Sequence, residues 1–95
     1  MRITGTTPVQ DCVDGTSVVT YWFDRVWTPE AIRRLEDLGA VEYFTDYPRP
    51  FFRVLCPSGL RIRGVDGEDN CQVVLPRLGR NEAREEFERW LDRLS

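Results

Sequence analysis

The sequence predicts an α+β fold, a two-layer sandwich in which a mainly antiparallel sheet of about four to six strands carries two helices on one face. Two observations support this class. Runs rich in β-branched and aromatic residues, separated by proline and glycine, occur at residues 17–23 and throughout residues 40–65. Segments with a one-sided apolar stripe follow Thr28 and Asn81. The expected element order is β-α-β-β-β-β-α, preceded by one uncertain strand.

The first 16 residues are expected to form either an N-terminal arm or an edge strand, and residues 17–95 a single domain. Arg2-Ile3-Thr4 has strand character, but Gly5, Pro8 and Asp14-Gly15 are expected to interrupt any longer element. A chain of 95 residues suits one domain with one core.

Residues Ser17–Phe23 predict the first strong strand. Val19, Tyr21 and Phe23 point to one side and Val18, Thr20 and Trp22 to the other, so that both sides have apolar character. Such a strand is typical of the middle of a sheet.

A helix is predicted from Thr28, the N-cap, and Pro29, the first helical residue, to Gly39, the C-cap. Residues 24–27 are expected to be a connection. A strand, a short helix and a second strand in this order are typical of the βαβ opening of ferredoxin-like sandwiches. Whether the crossover is parallel or skips a strand is left open by the sequence.

Residues 40–65 predict a meander of three strands. Tyr47–Pro50 is expected to be the first turn, because neither proline can donate a backbone N–H, and residues 57–59 the second. Pairing Asp46 with Phe51 places Phe44 opposite Arg53, and pairing Cys56 with Leu60 places Arg53 opposite Arg63. Alternation then assigns one face to the core: Val41, Tyr43, Thr45, Phe52, Val54, Cys56, Leu60 and Ile62. The other face carries Glu42, Phe44, Asp46, Phe51, Arg53, Leu55, Arg61 and Arg63.

Beyond the meander, Asp66–Asn70 is expected to be a solvated hairpin loop, since it lacks the Glu that completes an EF-hand calcium loop. Residues 71–75 predict the last strand. The terminal helix begins near Asn81 and presents an apolar stripe toward the sheet: Ala83, Phe87, Trp90, Leu91 and Leu94.

The composition excludes several chemistries. All 13 basic residues are arginine, and the chain has neither lysine nor histidine, which rules out Schiff-base lysines and histidine-based dyads or metal sites within it. The three cysteines are widely spaced and match no zinc or iron–sulfur framework, so no metal or cofactor is expected. We expect a cytoplasmic protein without a membrane span, because no apolar run approaches the required ~20 residues.

The candidate site is the sheet face away from the helices. Arg53 and Arg63, directly opposite each other, repel unless something offsets their charge. One offset is a solvated ladder with Glu42 and Asp46; the other is a bound anion or acidic partner held by the guanidinium groups. The turn residues Tyr47 and Arg49 are expected to add to the same surface. The candidate residues are Phe44, Tyr47, Arg49, Phe51, Arg53, Leu55, Arg61 and Arg63.

The predicted function is a small non-catalytic interaction module that binds a protein partner or forms a homodimer through this face, since aromatic residues and arginine favour interfaces. The alternative is a regulatory domain for a small anionic metabolite. The net charge of −3 disfavours nucleic acid, including a single strand. For catalysis only Cys56 is a candidate, and its expected position on the core face argues against a reactive thiol.

Overall fold

The structure, a computed structural model, describes residues Met1–Leu94 and has the predicted α+β architecture. An antiparallel six-stranded sheet has the strand order β1-β2-β6-β5-β4-β3, and both helices pack on one side of it. The strands are β1 (Ile3–Asp11), β2 (Ser17–Phe23), β3 (Ala40–Phe44), β4 (Phe51–Leu55), β5 (Arg61–Val65) and β6 (Asn70–Leu75). The helices are α1 (Pro29–Arg34), which continues into a 3-10 turn (Leu35–Asp37), and α2 (Arg80–Leu94). Within Met1–Leu94 no helix has the length and apolarity needed to cross a membrane.

The N-terminal segment forms a longer strand than the sequence suggested. β1 runs through Gly5 and Pro8 and pairs with β2 at the edge of the sheet. Two register irregularities, between Ile3 and Gly5 and between Pro8 and Gln10, accommodate these residues. Proline is tolerated here because an edge strand can leave one side of its backbone unpaired.

Helix α1 begins as predicted but does not create the expected ferredoxin-like opening. The side-chain oxygen of Thr28 accepts a hydrogen bond from the backbone N–H of Ala31 at 3.2 Å, and Pro29 is the first helical residue. After a short helix and the 3-10 turn, the chain reaches β3 at the edge of the sheet opposite β1. The three strands β6, β5 and β4 separate β2 from β3, so the ferredoxin-like order is not confirmed.

The meander has the predicted β4–β5 register, with Arg53 opposite Arg63. The predicted β3–β4 register was wrong by two residues, since Phe44 pairs with Phe51 and Glu42 with Arg53. β3 ends at Phe44, and the connection covers residues 45–50 instead of a tight turn at Tyr47–Pro50. A shift of two preserves which face each side chain occupies, so the predicted faces hold for the paired residues; Thr45 and Asp46 lie outside the strand.

The centre of the core is Trp27, in the segment that the sequence suggested was only a connection. Its side chain has 0% exposure, and its Nε1–H donates to the carbonyl of Asn70 at 3.0 Å. Ring centroids of Phe52 and Trp90 lie 5.0 and 6.3 Å away, so Trp27 joins the sheet to α2. The predicted stripe of α2 supplies four fully buried side chains: Ala83, Phe87, Trp90 and Leu91.

Candidate binding face on the open side of the sheet

The candidate site lies on the side of the sheet that faces away from α1 and α2, which we call the open face. Cross-strand pairing brings side chains from five neighbouring strands into rows across it. All six strand residues that the sequence proposed lie there: Phe44, Phe51, Arg53, Leu55, Arg61 and Arg63. The rows also include Val18, Thr20, Trp22, Glu42, Gln72 and Val74.

One end of the open face carries an aromatic cluster, formed by Phe44, Tyr47 and Phe51. The observed β3–β4 register places Phe44 directly opposite Phe51, and their rings stack with centroids 4.7 Å apart. The centroid of the Tyr47 ring lies 5.1 Å from that of the Phe51 ring, and 55% of the surface of Tyr47 is exposed. The loop therefore extends the apolar surface of the sheet edge, as expected for Tyr47.

The opposed arginines beside this cluster point toward different neighbours. The Arg53 guanidinium lies 3.4 Å from the Glu42 carboxylate and 5.0 Å from the centroid of the Phe44 ring. Arg63 donates from Nε to the side-chain oxygen of Gln72 at 2.7 Å. Arg53 thus contacts β3 and Arg63 contacts β6. The two guanidinium groups turn away from each other, which reduces the repulsion between them. The expected salt-bridge ladder is present only as the Glu42–Arg53 pair.

Two arginines of the open face, Arg61 and Arg63, form no ion pair within Met1–Leu94, although Asp14 of the β1–β2 hairpin lies near enough to Arg61 for their charges to attract. Arg61 lies opposite Leu55 on β4 and Val74 on β6, in an otherwise apolar row. Guanidinium groups in this state are available to bind carboxylate or phosphate oxygens.

Arg49 does not join these arginines, contrary to expectation. Its guanidinium forms an ion pair with Glu68 in the loop between β5 and β6. That loop packs toward the core, since the backbone carbonyl of Glu68 accepts a hydrogen bond from the N–H of Trp27 at 2.9 Å. Arg49 therefore pairs with this loop and does not add a free guanidinium to the open face.

The open face contains two concavities, and Arg53 and Arg63 line both. The larger, about 550 Å³, extends from the β1–β2 hairpin at Gln10 and Cys12 to Leu55 on β4. The smaller, about 370 Å³, lies over Phe51, Phe52, Val65 and Gln72. An incoming group can thus contact apolar side chains in either hollow while it approaches the same two guanidiniums.

Sequence reasoning missed the contribution of β2 and β6 to this surface. Trp22 is 41% exposed on the open face, and its Nε1–H donates to the Thr7 hydroxyl at 3.3 Å. Alternation in β2 already separated Trp22 from the core residues Tyr21 and Phe23. What the sequence lacked was the strand order, which places β2 beside β6 and joins both to the arginine strands.

The two buried cysteines, Cys56 and Cys71, offer little thiolate chemistry. Cys56 is 3% exposed, and burial, followed by the charge of Glu86, raises the pKa of its thiol to about 11. Burial also raises the pKa of Cys71. Both thiols therefore hold their protons at neutral pH and are poor nucleophiles. Among the described residues, no group of three or more His, Cys, Asp and Glu side chains is arranged to hold a metal ion.

Comparisons with protein-family models, with curated proteins and with solved structures found no match to this chain.

Proposed function

We propose that the protein is a small non-catalytic binding module whose open face binds a protein partner, either a different protein or a second copy of this chain. The observation that supports this most directly is the aromatic cluster beside the arginines of a sheet face that both helices leave uncovered. Interface centres favour this combination of residue types.

The apolar part of the face supports a macromolecular partner. Trp22, Tyr47 and Leu55 are 41%, 55% and 58% exposed, respectively, and they belong to three different parts of the chain. Apolar side chains that stay exposed at separate points of one sheet face favour a partner broad enough to cover several strands. A protein can cover the open face across several strands, whereas a small ligand fills one hollow.

The charge of the face supports an acidic partner. The strand residues of the open face include three arginines and one carboxylate, Glu42, and Asp14 lines the larger concavity beside them, in a chain whose net charge is −3. A partner that brings carboxylates to Arg61 and Arg63 gains charge-assisted hydrogen bonds without displacing an existing ion pair. We place this interaction in the cytoplasm; the three unpaired cysteines fit a reducing compartment.

Photocrosslinking tests the proposal. A benzophenone amino acid at Leu55, on the open face, is expected to give a discrete adduct in extract of the native cells. The matched control is Leu78, which is 82% exposed but lies outside the sheet. Adding Arg63→Glu is expected to reduce the Leu55 adduct at least about tenfold, as for a central interface residue. Equal labelling from both positions, or an adduct indifferent to Arg63→Glu, would refute the proposal.

A small anionic metabolite is the second candidate, favoured by the larger concavity and its arginines. Phosphorylated and carboxylated metabolites at millimolar concentration are then expected to raise the melting temperature, and Arg61→Ala to abolish the rise. Arg84→Ala, exposed on α2, is the control. Absence of any shift across the panel contradicts this candidate. A salt-sensitive shift with a single-stranded oligonucleotide alone would instead favour nucleic acid.

A further inference from the structure

The two edges of the sheet differ in how well they are protected against further pairing. β1 has two register irregularities and contains Pro8, features that natural sheets use to block edge pairing. β3, at the other edge, pairs with β4 through five consecutive residues without a shift, and its sequence AVEYF lacks proline and glycine; its one charged residue, Glu42, pairs with Arg53 of the same copy. Only the β3 edge is therefore regular enough to accept another strand.

The backbone of β3 has groups to offer such a strand. In an antiparallel pair, alternate residues point their N–H and C=O groups away from the partner. Within Met1–Leu94, the backbone of Ala40–Phe44 makes no hydrogen bond beyond the β3–β4 ladder. Ala40 and Glu42 are exposed, so the approach to this edge is open on the same side as the open face.

We infer that β3 pairs antiparallel with β3 of a second copy, around a two-fold axis through Glu42, to form one continuous sheet. This register uses the whole strand. It sets Ala40 opposite Phe44 of the second copy on the open face, and Val41 opposite Tyr43 of the second copy on the helix side. Each pair combines a small side chain with a large one, which suits the close spacing of directly opposed residues.

The charges at the axis are compensated within each copy. The two Glu42 carboxylates face each other, and like charges in this position repel. However, each Glu42 has its own Arg53 guanidinium 3.4 Å away. The row across the joined sheet therefore has two carboxylates at its centre and an arginine on either side. This compensation reduces the electrostatic cost of pairing with a second copy, and the complementary sizes of the opposed side chains favour that copy as the partner.

The interface is small, with five residues from each copy, so we expect an association of modest affinity. The inference concerns the sheet edge and does not depend on a partner at the open face. Leu55 lies on β4, one strand in from the edge. Failure of the edge interface therefore leaves the Leu55 crosslinking test of the proposed function unaffected.

Light scattering between about 10 μM and 1 mM, the range suited to a small interface, tests the association. The wild-type mass is expected to double across this range, and Ala40→Lys to weaken the association at least about tenfold by placing a charge against Phe44 of the second copy. Gln10→Lys, a lysine at another exposed position on the opposite edge strand β1, is the control and is expected to dimerise like the wild type. A monomer throughout, or equal effects of the two variants, would overturn the inference.

Disulfide trapping tests the register independently. The background is Cys12→Ser, which removes the half-buried thiol. In it, Glu42→Cys is expected to form a disulfide-linked dimer under mild oxidation, because residue 42 lies opposite residue 42 of the second copy. Ala40→Cys is the matched control, since the two copies of residue 40 lie about 13 Å apart in this register. Equal trapping at both positions, or none at residue 42, would contradict the two-fold axis.

Discussion

Replacing Trp27 with alanine is expected to lower the free energy of unfolding by about 3–5 kcal/mol, the range for removing a large buried aromatic side chain. Trp27 is fully buried, and its ring lies within 5.0–6.3 Å, centroid to centroid, of those of Phe23, Phe52 and Trp90. Alanine would leave a cavity between sheet and α2. It would also leave the Asn70 carbonyl without its indole donor.

Urea denaturation followed by circular dichroism measures this effect. Trp22→Ala is the matched control, because Trp22 is 41% exposed on the open face and its removal opens no cavity. We expect Trp22→Ala to lower the free energy of unfolding much less than Trp27→Ala does. The loss for Trp27→Phe should lie between those of these two variants. Similar losses for Trp22→Ala and Trp27→Ala would show that Trp27 is not the centre of the core.

The second large effect is expected for Gly39→Ala, which should lower the free energy of unfolding by about 1–3 kcal/mol through overpacking. A Cβ at this position would collide with the carbonyl oxygen of Leu55 and would lie 2.8 Å from the Cα of Cys56. Both are backbone atoms of the neighbouring strand region and cannot turn aside as a flexible side chain can. The start of β3 would have to separate from β4.

Thermal and urea unfolding of Gly39→Ala and Gly5→Ala, compared side by side, test this explanation. A Cβ at Gly5 meets nothing within 4 Å, so that variant should stay close to the wild type. If both variants lose the same stability, the close approach of Leu55 is not what requires glycine at position 39.

Gly39 also shows what local sequence signals can and cannot predict. Its position after the helical stripe correctly predicted where the helical segment ends. Gly39 follows the C-cap residue Leu38 and does not have the positive φ that favours glycine, which is found at Gly15, Gly59, Gly67 and Gly79. The constraint at Gly39 comes from β4, which lies beyond the reach of local patterns.

The candidate site shows the same division between local and distant information. Alternation alone placed Phe44, Phe51 and Arg53 on one face, and this survived a register error because the error was two residues. The contribution of Trp22 and the burial of Trp27 depend on strand order and on the path of the chain across the core. The direction of Arg49 depends on Glu68, a residue distant in sequence that the fold brings close.

The strand order also bears on how the chain folds. The meander β3–β6 and the hairpin β1–β2 each join strands that are close in sequence, whereas the β2–β6 seam pairs Ser17 with Leu75 and Trp22 with Asn70. Pairing β2 with β6 closes a longer stretch of chain than any pairing within the meander or the hairpin, and its entropic cost is therefore larger. The meander and the hairpin should form before the β2–β6 seam does. We therefore expect the closing of the seam to be the slower step in folding. Because Tyr21 and Phe23 of β2 pack in the core against Phe87 and Trp27, opening the seam in the native state would expose the core as well.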